Sequence, residues 1–134
     1  MTILYYQPRA HIDELFVGQC TVHRASGSSA ARWWLLWFHV KLDNAPGSEV
    51  FCVPVNPMGE FEGHGPGGRT WALKPKQAVP GVEGSRDWAV SPSVNILDSR
   101  DAVAGACSLP PLWHQTIEIH GVPDSEPWAA GEAA

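Results

Sequence analysis

Beyond Arg100 the chain contains no Lys or Arg at all. Residues 1–100 hold nine basic and nine acidic side chains. Asp101, Glu118, Asp124, Glu126 and Glu132 then supply the whole net charge of −5. An end that carries only negative charge repels phosphate backbones, so direct nucleic-acid binding is disfavoured and a basic partner is favoured. Cysteine is also scarce. Cys20, Cys52 and Cys107 are odd in number and widely spaced, which does not suit a secreted disulfide framework. They read as buried small hydrophobes in a reduced, cytoplasmic protein. The longest apolar run, Trp33–Phe38 extended by His39 and Val40, is far short of the roughly 20 residues of a membrane helix. Met1–Arg9 lacks the basic and apolar regions of a signal peptide. No Gly-x-Ser-x-Gly elbow is present, and Ser85 and Ser91 have no base near them in sequence. These absences point to a non-enzymatic protein.

What is present is turn-forming and aromatic. The 134 residues include 13 Gly, 12 Pro and seven Trp, with 44% hydrophobic and 17% charged residues. That length fits one domain with its own core, and the Gly and Pro load argues against a helical bundle. We read a single β-rich domain over 1–123 and an acidic C-terminal tail over 124–134.

Strand-like segments recur between turn signals. Thr2–Tyr6 is β-prone and stops before Pro8. Leu15–Arg24 reads as a strand broken near Gly18, and 24–31 as a loop. Arg32–Leu42 is apolar on both alternating sets, which predicts a strand covered on both sides. Trp33 and Trp34 then point to opposite faces. After the Asp43–Ser48 turn, Glu49–Val55 returns, so 32–55 is a β-hairpin. Pro57–Gly68 reads as loop-rich. Arg69–Lys74 is a strand stopped by Pro75, and 75–87 a second loop. Trp88–Val90 and Ser93–Leu97 are strand pieces on either side of Pro92, which belongs at an edge, bend or bulge. Residues 98–106 suggest a helical turn or two. In Leu112–His120, Trp113, Ile117 and Ile119 alternate with His114, Thr116, Glu118 and His120. Six to eight such strands predict a mainly β fold with little helix: an antiparallel sandwich, roll or small barrel.

Gly63–Gly68 matches Gly-x-Gly-x-x-Gly in letters. A dinucleotide loop must follow a strand and open a helix, whereas here Pro66 interrupts it and an extended segment follows. A hairpin loop is the better reading, and with His64 it offers a contact surface. Glu118 and His120 share a strand face about 7 Å apart, with His114 further along it. With Cys107 they make a candidate zinc set and a route to a small zinc-dependent hydrolase, although no metal-ligand spacing is present. Otherwise no cofactor is expected. The tryptophans are interface anchors or, alternatively, a flat platform for a carbohydrate.

Two stretches carry a resemblance: Asp87-Trp-Ala-Val-Ser-Pro-Ser-Val-Asn-Ile96 and Leu112-Trp-His-Gln-Thr-Ile-Glu-Ile-His-Gly-Val-Pro123. They resemble the Trp…Ser-Pro-Ser segment and the closing strand of small uncharacterised phage and prophage proteins, over about the last 65 residues. Some of those proteins carry Cys and His close together at that end, whereas here Cys107 stands apart from His114. The resemblance implies a mobile-element accessory protein that binds a host or phage protein, including bacterial defence complexes such as CRISPR–Cas. The expected contact residues are Trp113, Trp128, Asp124, Glu126 and His64, with the 59–68 loop as a second surface.

Overall fold

The computed structural model describes residues 1–8, 10–24, 34–42, 46–57, 62–65, 68–96, 103–104 and 112–124. They form nine strands: β1 (Thr2–Tyr6), β2 (Gln19–Arg24), β3 (Trp34–Val40), β4 (Glu49–Asn56), β5 (Glu62–Gly65), β6 (Gly68–Ala78), β7 (Ser85–Ile96), β8 (Val103–Ala104) and β9 (Trp113–Pro123). A 3₁₀ turn at Ile12–Glu14 lies between β1 and β2. The strand order β5-β6-β4-β3-β2-β1-β9-β7-β8 is closed by a further β6–β7 pairing. Seven strands therefore form a closed barrel, and β5 and β8 extend it from β6 and β7. Of the predicted alternatives, the barrel is the one adopted. The expected antiparallel pairing needs one correction, because β1–β2, β1–β9 and β4–β6 are parallel. β1–β9 and β4–β6 join strands that are not consecutive, and β1–β2 joins consecutive strands by a crossover; a reading of successive hairpins generates neither. No helix among the described residues is long and apolar enough to cross a membrane.

The core is the barrel interior. Leu4, Cys20, Val22, Trp34, Leu36, Phe38, Val53, Val55, Trp71, Leu73, Trp88, Val94, Ile117 and Ile119 belong to one buried cluster. The seven barrel strands contribute alternate residues, as pleating requires, except across the register shifts of β7 and β9. In β3 the alternation is complete. Trp34, Leu36, Phe38 and Val40 are buried, while Leu35, Trp37 and His39 are half-buried on the outside. The predicted cover on both sides is complete within the barrel and partial on the outer face. Side chains fill a barrel of this size. Trp34 meets Trp88 edge-on, with ring centroids 5.5 Å apart, and Trp113 packs over Phe38 at 6.1 Å.

β1, β3, β4 and the alternating β9 lie where the pattern predicts. Gly18, at φ 92°, marks the break before β2. Several boundaries differ. β6 continues through Pro75 to Ala78. Its ladder with β4 ends at Ala72, and its register with β7 shifts between Pro75 and Ala78, so the missing N–H of the exposed Pro75 costs little there. The two pieces around Pro92 are one strand, and Pro92 sits in a register shift between Val90 and Val94 beside a cis Ser91–Pro92 bond. The Gly-rich segment is a hairpin. β5 pairs with β6, and an 11-residue strand follows in place of the helix that a nucleotide loop needs. Within the expected helical stretch 98–106, Val103–Ala104 is strand, and its other positions lie outside the described residues. The loop predicted over 24–31 and the tail beyond Asp124 also lie outside them, Arg24 apart.

Candidate functional site on the outer wall

With the interior filled, the described side chains open to a ligand or partner are those of the outer wall and its connections. One ring of outward positions runs across the sheet through Val50, His39, Gln19, Tyr5 and His120, as the registers dictate. The β1–β2 connection folds back over this ring. His39 ties it down: its Nε2–H donates to the Ile12 carbonyl at 2.8 Å. Its Nδ1 therefore accepts from Ser48 Oγ at 3.1 Å when the ring is neutral. Leu15 is buried beneath the connection, at 4% exposure. The next two residues, Phe16 and Val17, project outward at 73% and 57% exposure. The Tyr5 N–H donates to the Gly18 carbonyl at 2.8 Å, which ties the turn that carries Phe16 and Val17 to the strand that carries the 54%-exposed Tyr5 ring. Exposed Asp13 and Glu14 immediately precede that turn.

On the other side of Tyr5 lies a polar corner. β9 carries an extra residue between its pairings at Ile119 and Val122, opposite Trp88 and Arg86. This is a β-bulge, and Gly121 at φ 85° supplies the left-handed turn it requires. The bulge sets His120 across from Asp87. His120 Nε2 is 3.7 Å from Asp87 Oδ2 and 3.5 Å from Glu118 Oε1. The Tyr5 ring meets the imidazole edge-on at 5.7 Å. Lys76 Nζ donates to Glu118 Oε2 at 2.9 Å. That bond holds the Glu118 carboxyl below the usual range, against an opposing push from burial and with further help from His120. The Asp87 side chain is 6% exposed, and its Oδ1 is buried without a hydrogen-bond partner.

Of the residues expected to form a metal set, Glu118 and His120 do meet, and Asp87 joins them. His114 is elsewhere, hydrogen-bonded to Ser93 Oγ at 2.7 Å near the Pro92 register shift. Cys107 lies outside the described residues. Among the described residues, no three His, Cys, Asp or Glu side chains are placed to hold a metal ion. Of the expected contact residues, Trp113 is half-buried against the core, and Asp124 is exposed and paired with Arg86 at 2.7 Å. His64 lies in β5, and Trp128 and Glu126 fall outside the described residues. The cysteines within the described region follow expectation in part. Cys20 is buried, which pushes its thiol far up, whereas the half-buried Cys52 is pushed up to about 11 by the same cause.

Sequence reasoning missed Tyr5, Phe16, Val17, Lys76 and Asp87. One signal was available: Asp87 is a carboxylate at the head of the apolar run Trp88–Val90. The partnership with His120 was not visible, because it depends on the bulge. Set against known proteins, the chain matches no family model, no curated protein and no solved structure.

Proposed function

We propose that the chain is a non-enzymatic accessory protein of the phage or mobile-element kind, which acts by docking a host or phage protein through the outer wall around Tyr5, Phe16 and Val17. A bacterial defence complex such as a CRISPR–Cas effector is the partner class to test first. The observation that carries the docking role is the exposed apolar group itself. Large side chains left in water on one strand and on the turn bonded to it are the usual mark of a protein contact. The excess of acid over base, with Asp13 and Glu14 at the edge of the group, favours a basic partner face. The phage context is supported by the resemblance of residues 87–96 and 112–123 alone.

The test is phage plating on a host with an active defence system. Expression of the wild-type chain restores plating, and the Phe16→Asp, Val17→Asp double variant does not, although it melts at the wild-type temperature. Equal plating with the variant, or no restoration by the wild type with any defence class tried, contradicts the proposal.

A further inference from the structure

We infer that the corner built from Tyr5, Asp87, Glu118 and His120 receives the guanidinium of an arginine carried by the docked protein. The inference rests on the docking role proposed above and names the chemistry that role uses.

The corner is under-satisfied as it stands. A carboxylate removed from water is costly unless it is paired and hydrogen-bonded. Asp87 is almost fully removed, with its Oδ1 unpartnered. Its nearest cationic candidate, His120 Nε2, lies 3.7 Å from Oδ2, too far for a hydrogen bond. That nitrogen also has no hydrogen-bond partner. Lys76 is committed to Glu118 Oε2. Two carboxylates thus face one ammonium, and the unmet demand is for a positive charge.

Two features select arginine. Asp87 Oδ2 and Glu118 Oε1 are two acceptors from different carboxylates gathered about one ring nitrogen, 3.7 and 3.5 Å from His120 Nε2, and a planar fork of donors can serve both where a single ammonium serves them less well. Tyr5 offers an exposed ring beside them for the guanidinium to stack on. Asp87 Oδ1 is closed to solvent, so the arginine meets Oδ2 and Glu118 Oε1. Neutralising the carboxylate from that side relieves the burial cost of the whole group. The bulge at Gly121 fixes this geometry before the partner arrives.

The experiment is an NMR titration of the full chain with acetyl-Leu-Arg-Leu-amide, with the citrulline peptide as its neutral isostere. The arginine peptide is expected to shift the Tyr5 and His120 ring signals saturably, and the citrulline peptide to leave them in place. Asp87→Asn and Glu118→Gln, each checked by its melting curve, should each abolish or greatly weaken the response. Phe16→Ser should retain it. Absence of saturable shifts up to the solubility limit, equal shifts with citrulline, or an unchanged response in both carboxylate variants overturns the inference. The two proposals fail separately. Partner binding lost in the Phe16 and Val17 variants but kept in Asp87→Asn and Glu118→Gln overturns the arginine site alone. A partner indifferent to Phe16 and Val17 overturns the docking reading, while the peptide titration still reports on the corner.

Discussion

Trp88 and Asp87 are neighbours in one strand and both are buried, yet they sit in opposite environments. Trp88 points into the barrel against Trp34, where a large apolar ring leaves water at the cost of one indole N–H buried without a hydrogen-bond partner. Asp87 points to the outer wall, where its carboxylate is closed in without a full set of partners. The interior places its residues where burial is most favourable. The outer wall at β1, β7 and β9 does the reverse, leaving Phe16 in water and Asp87 out of it. That inversion is the physical signature of a surface shaped for something other than stability.

The largest effect should come from the interior. Trp34→Ala or Ile119→Ala removes a side chain at 0% exposure and should cost about 3–5 kcal/mol of unfolding free energy, read by denaturant titration. A cost under about 1 kcal/mol would mean that the interior is loosely packed and the contrast with the wall is false. Next comes the bulge that joins the two regions. A Cβ at Gly121 would meet no atom within 4 Å, so the cost of Gly121→Ala is purely that of φ 85°, about 1–2 kcal/mol. The same variant should displace His120 and blunt the arginine-peptide response.

The smallest effect belongs to the exposed ion pair. The Glu118 carboxyl titrates below its ordinary value in the folded chain, so its contribution to stability is present above that ordinary value. It is lost as pH falls through the lower folded value. Lys76→Met removes the main cause. The stability gap between wild type and variant should therefore be present at neutral pH and close on acidification, as pH falls through the lowered value of the folded carboxyl. It should be small throughout, because Lys76 is 46% exposed. A gap that widens on acidification would reverse the assigned sign.

The sequence made the interior more legible than the wall, for a physical reason. β3, β4 and β9 announce themselves because burial on one face imposes a period of two, and the Asp43–Ser48 turn signal joins β3 to β4. The passage of β6 through Pro75 was hidden, because a proline stops a strand only where its N–H is needed. The parallel pairing of β1 with β2 and β9 depends on closure of the whole barrel, and no local pattern encodes it. On the wall, Glu118 and His120 were visible as a same-face pair. Asp87 was not joined to them, because the bulge at Gly121 decides which residue of β7 His120 faces. Phe16 and Val17 read as part of a strand because both are β-prone, and only the turn at Gly18 turns them outward.

The most direct measurement pairs two readings on one variant. Wild type and Tyr5→Asp, Phe16→Asp are melted side by side, and each is used to capture partners from a phage-infected host lysate. The account predicts matched melting temperatures, since both side chains are more than half exposed. It also predicts a defined set of proteins held by the wild type and lost by the variant. The same proteins retained by the variant, or a variant that melts far below the wild type, would contradict it.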